Sequence, residues 1–92
     1  MHAKIYGRAI IIEGIHTHTY ANTVVSELRD ILIRKERRFK VFFEGSPGPL
    51  GEGITVKIFF DKNLSNLEVN VLQKYFELRK IRATLFLRDS DS

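Results

Sequence analysis

The sequence predicts an α+β domain in which two helices cover one face of a small antiparallel sheet. Three observations lead there. Phe39–Glu44 and Ile54–Phe60 alternate side chains with a period of two, as strands do. Ala21–Lys35 and the run after Ser65 repeat apolar residues at helical spacing. With two further apolar segments at the ends, the order becomes strand, helix, strand, strand, helix, strand. At 92 residues the chain holds one core, so 1–92 is expected to be a single domain.

Each element has its own warrant. Lys4–Glu13 (KIYGRAIIIE) is rich in isoleucine, carries no helix cap and is apolar on both faces in its middle, like a central strand. Gly14–Tyr20 is a loop. In Ala21–Lys35, residues Ala21, Val24, Val25, Leu28, Ile31 and Leu32 form one stripe, and Thr19 or Asn22 is placed to cap it. Phe39–Glu44 is a short strand. Gly45–Gly53 holds four glycines and both prolines and reads as a flexible nine-residue hairpin connection into strand Ile54–Phe60. Ser65-Asn66-Leu67-Glu68 fits a capping box, with Leu64 and Val69 placed as a hydrophobic staple. Val69, Leu72 and Phe76 then mark a buried stripe. Ile81–Arg88 is the last strand, and 89–92 is a polar tail expected to fray.

This order is that of the ferredoxin-like split βαβ, with strands one and three central in a four-stranded antiparallel sheet. An interleaved α+β homodimer is the alternative, since one small sheet buries limited area.

Two helices on one face leave the other open. Alternation assigns to it Lys40 and Phe42, Lys57 and Phe59, and Arg82, Phe86 and Arg88. For the first strand, the register with Tyr6, Arg8, Ile10 and Ile12 outward is preferred, because it sends the small Gly7 and Ala9 under the helices. Aromatic rings among cations are what an unpaired RNA or DNA strand needs. RNA-recognition motifs place such residues on this face, but their third-strand signature is absent from Gly53–Phe60. The same apolar area also fits a homodimer interface or a protein partner.

Net charge is +4, from 15 Lys+Arg against 11 Asp+Glu. All of that excess sits in 31–40 (ILIRKERRFK), which holds five bases and one acid. Arg34, Lys35, Arg37, Arg38 and Lys40 are therefore the candidate nucleic-acid contacts, although cations at a helix C-terminus also offset its dipole.

Other chemistries find little footing. Without cysteine there is no disulfide frame, thiolate site or cysteine nucleophile. His16-Thr17-His18 has a usable metal-ligand spacing, but only His2 or Glu13 offers a third ligand. The glycine loop lacks a following lysine and helix, so it is no P-loop. No cofactor and no catalytic set is legible. The longest apolar run, Ala9–Ile12, falls far short of the ~20 residues of a membrane span, and no signal-peptide core is seen, so cytoplasmic residence is expected. The high Ile, Lys, Arg and Glu content with a single Gln leans toward a thermophile. The expected function is a non-enzymatic nucleic-acid binder, dimeric. A structural or regulatory homodimer and a small metal-dependent enzyme using the His-x-His loop are the alternatives.

Overall fold

The computed structural model describes residues 1–33, 38–47 and 53–86. Its elements are β1 (His2–Tyr6), β2 (Ala9–Ile15), α1 (His18–Ile33), β3 (Phe39–Ser46), β4 (Gly53–Phe60), α2 (Asn66–Leu78) and β5 (Arg82–Phe86). They build a five-stranded sheet in the order β3-β4-β2-β1-β5.

This corrects the four-stranded ferredoxin-like expectation. The segment read as one strand is a hairpin, with β1 and β2 antiparallel around Gly7 and Arg8. The turn is held from outside: the Gly7 carbonyl accepts from Leu64 N–H at 2.7 Å, and the Arg8 carbonyl accepts from Phe60 N–H at 2.9 Å. The extra strand also reverses direction beyond it. A strand returning from α2 would run antiparallel to a single first strand, but beside β1 it runs parallel. The remaining pairs are antiparallel. The core closes within one chain, so strand exchange with a second chain is not required.

Both helices lie on one face. Ala3, Ile5, Ile10, Ile12, Ile54, Val56 and Ile58 point into a cluster with Val24 and Leu28 of α1 and Leu72 and Phe76 of α2. Burying each large apolar side chain contributes about 1.5–3 kcal/mol. The helical stripes match the periodicity. The first cap does not: α1 begins at His18, and Thr17 Oγ1 accepts from Tyr20 N–H at 3.1 Å, so neither Thr19 nor Asn22 caps it. In α2 the capping box forms as expected. Ser65 Oγ accepts from Glu68 N–H at 3.1 Å, and Glu68 Oε1 accepts from Ser65 N–H at 2.9 Å.

Gly14 makes the one irregularity in the β2–β4 ladder. It has φ +81° and lies where the register shifts between Ile12 and Ile15. The extra residue of this bulge turns both isoleucines inward although they are three positions apart. The expected nine-residue loop is also shorter than it reads, because β3 runs to Ser46, which pairs with Gly53. Residues 48–52 of that loop, and the tail 89–92, lie outside the described residues.

Candidate nucleic-acid interface

The face away from the helices is read from the ladder registers. Its side chains come from alternate residues: Lys40, Phe42 and Glu44 on β3; Thr55, Lys57 and Phe59 on β4; Ala9, Ile11 and Glu13 on β2; His2, Lys4 and Tyr6 on β1; Arg82, Thr84 and Phe86 on β5. Of the expected face residues, Tyr6, Phe42, Lys57, Phe59, Arg82 and Phe86 are there. Arg8 is in the β1–β2 turn, and its Nη2 donates to the Asp61 carbonyl at 2.9 Å. Arg88 lies outside the described residues.

The preferred first-strand register is corrected beyond Tyr6. Ile10 and Ile12 are fully buried, Ala9 is outward, and Gly7 belongs to the turn. The hairpin is the reason. A two-residue turn puts Tyr6 and Ala9 on the same face, whereas a continuous strand puts them on opposite faces. A signal was present in the sequence: the buried apolar positions switch from odd (3, 5) to even (10, 12) across Gly7-Arg8. Ala9, Ile11 and Glu13 are face residues that the single-strand register turns toward the helices.

The face is polarised along its strands. Cross-strand pairing sets Lys40 beside Phe59, Phe59 beside Ala9, and Tyr6 beside Phe86. Continuing the hairpin register places Tyr6 opposite Ala9. One row at the turn end thus reads Lys40, Phe59, Ala9, Tyr6, Phe86. Tyr6 and Phe86 stack with centroids 5.1 Å apart and planes 18° from parallel. Phe42 meets Phe59 edge-on at 5.8 Å. Phe42, Phe59 and Phe86 are 50%, 43% and 47% exposed. The two aromatic stations are two strand spacings apart, about 10 Å, and the small Ala9 leaves a trough between them.

Further down the strands the face becomes polar. Lys57 Nζ donates to Glu44 Oε2 at 2.9 Å, Lys4 Nζ lies 3.1 Å from Glu13 Oε1, and His2 Nε2 is 2.7 Å from Thr84 Oγ1.

At the aromatic end the row runs into the basic segment. A cleft of about 350 Å³ is lined by Arg38, Phe39, Lys40, Phe59, Phe60 and Asp61. Arg38 and Lys40 are both exposed, and among the described residues neither is paired with a carboxylate. The structure therefore brings together the end of the basic window and the aromatic face, two signals that are separate in the sequence. Arg34, Lys35 and Arg37 lie outside the described residues.

Among the described residues the histidine pair gathers no third ligand. His16 and His18 are exposed at the start of α1, near a pocket of about 230 Å³ lined by Met1, His16, Thr17 and Tyr20. His2 is engaged by Thr84 and Glu13 by Lys4, and among the described residues no three potential ligands cluster.

A second polar cluster ties α1 to α2. Tyr75 Oη donates to Glu27 Oε1 at 2.6 Å, and Arg79 donates through Nε to Oε1 at 2.9 Å and through Nη2 to Oε2. The Arg79 hydrogen bonds, and then that from Tyr75, hold the Glu27 carboxyl below its ordinary range. Burial, and then the bond to Glu27, pushes the Tyr75 phenol up. Hydrogen bonding to Arg79 and Tyr75 for Glu27, and burial ahead of the Glu27 bond for Tyr75, account for these shifts within a helix-to-helix brace, which is a structural role.

No helix among the described residues is long and apolar enough to cross a membrane. Comparison with protein-family models, curated proteins and solved structures finds no match.

Proposed function

We propose that the protein is a non-enzymatic, cytoplasmic binder of single-stranded nucleic acid, with the turn-end aromatic row as its base platform. The observation that carries this reading is the junction of that row with the basic segment. Phe59 shares one cleft with Arg38 and Lys40, and Tyr6 with Phe86 continues the row across Ala9. Stacked bases would lie on Phe59 and Phe86, while phosphates follow Arg38 and Lys40, with Arg34, Lys35 and Arg37 of the same sequence window as further candidate contacts. A duplex keeps its base faces stacked inside, so the rings select for unpaired strands.

A sheet-to-sheet homodimer is the competing use of the face. Its two rows away from the turn speak against that use, because Lys57 and Lys4 stand in the middle row and Glu44 and Glu13 in the far one, and interface cores are depleted in Lys and Glu. Titrating a labelled single-stranded RNA, its DNA equivalent and a duplex of the same sequence tests the proposal. Binding of the single strands, weakening as salt rises, is expected. Equal affinity for duplex, or no binding of any strand at low salt, overturns it.

A further inference from the structure

β3 stands at the edge of the sheet, and among the described residues only β4 pairs with it. The groups on its outer side follow from two hydrogen bonds. Asp61 N–H donates to the Arg38 carbonyl at 3.2 Å, whereas Phe60 N–H turns away from β3 to Arg8. Backbone groups alternate in an antiparallel ladder, so Arg38, Lys40, Phe42 and Glu44 turn theirs toward β4. Phe39, Val41, Phe43 and Gly45 present theirs to the outside. The strand is eight residues long and shows Phe42 (50% exposed) on one face and Phe43 (45%) on the other. An edge this long and apolar is a template for another strand.

The edge is also complementary to itself. Lys40 and Glu44 lie two residues either side of Phe42, on the same face. A second β3 laid antiparallel about a twofold axis at Phe42 sets each Lys40 opposite the second copy's Glu44. Val41 then faces the second copy's Phe43, and Phe39 its Gly45, so all four outward-pointing residues close hydrogen-bonded pairs. The two Phe42 rings meet in the wider backbone gap, where opposed side chains approach most closely. Centring the axis on Lys40 or on Glu44 would instead oppose like charges.

We propose that β3 is a homodimerisation edge: two copies join antiparallel through Phe39–Gly45 about Phe42, making one continuous ten-stranded sheet. Opposed residues share a face, so the aromatic faces of both copies lie on the same side. The inference does not rest on nucleic-acid binding.

Sedimentation of the full chain across a concentration series tests it. The wild type should dimerise reversibly. Lys40→Glu and Glu44→Lys should each weaken the dimer on the order of tenfold or more, since two attractive pairs become repulsive. An equimolar mixture of these two variants should recover a one-to-one dimer, and so should the double swap Lys40→Glu/Glu44→Lys in one chain. Val41→Pro removes an outward N–H without touching the β4 ladder, and edge positions accept proline; it should give a folded monomer. A wild type that stays monomeric overturns the proposal. A dimer indifferent to Lys40→Glu, Glu44→Lys and Val41→Pro also overturns it.

Discussion

Affinity and salt dependence should separate when the platform and the basic segment are perturbed independently. Five cations stand in 31–40. If each neutralises one phosphate of a single strand, log K should fall against log salt with a slope of about −3.5. Between about 50 and 200 mM salt, affinity then drops about 130-fold. The double variant Arg37→Gln/Arg38→Gln leaves three cations, a slope of about −2.1 and a drop of about 20-fold over the same range. Phe59→Ala and Phe86→Ala act differently. Both rings are nearly half exposed on the outward face, so truncation leaves the core intact. Each should cost about 1–3 kcal/mol of stacking, roughly 5- to 150-fold in Kd, with the slope unchanged. Fluorescence anisotropy of a labelled single-stranded RNA at four or five salt concentrations reads both quantities. An unchanged slope in the arginine variant would refute the basic segment as the phosphate contact. Unchanged affinity in both phenylalanine variants would refute the platform.

Three further outcomes concern the scaffold. Gly45 has φ +92°, and a Cβ there would sit 2.2 Å from the Gly53 carbonyl oxygen. Gly45→Ala should therefore cost at least ~2 kcal/mol and lower Tm by roughly 10–20 °C. Gly7→Ala, which meets only Asn63 Oδ1 at 3.5 Å, should stay within about 0.5 kcal/mol of wild type; similar melts for the two would refute the contrast. Ser65→Ala removes one half of the capping box and should cost about 1 kcal/mol in urea denaturation. The Glu27 brace is acid-sensitive in one direction. Its carboxyl is held below the ordinary 4.5, so as pH falls the unfolded chain binds the proton first. The brace is whole above about pH 4.5 and is lost as pH drops through the lower folded value. Urea midpoints of Glu27→Gln should thus decline less steeply with acid than those of wild type, and parallel curves would count against the brace.

Local chemistry was legible where the code is local. The Ser65–Glu68 box, the Val69, Leu72 and Phe76 stripe and the faces of β3 and β4 each depend on a few adjacent residues. Alternation placed Phe42, Phe59, Phe86 and Lys57 correctly for that reason. Failure came at Gly7-Arg8, where no run of turn residues interrupts the apolar segment. The carbonyls there are satisfied by Phe60 and Leu64, more than fifty residues away, and nothing nearby in the chain announces such partners.

That hairpin separates what the sequence by itself determined from what only the tertiary structure decided. Composition and periodicity determined two amphipathic helices, an open aromatic face and one basic window carrying the whole excess charge. The number of strands, the direction of β5 and the seating of Phe59 beside Arg38 and Lys40 came from pairing between distant segments. A strand's faces follow from its own alternation, but its neighbours follow from which distant edges satisfy its hydrogen bonds. One added strand was enough to reverse a pairing and to line the aromatic residues up in a row.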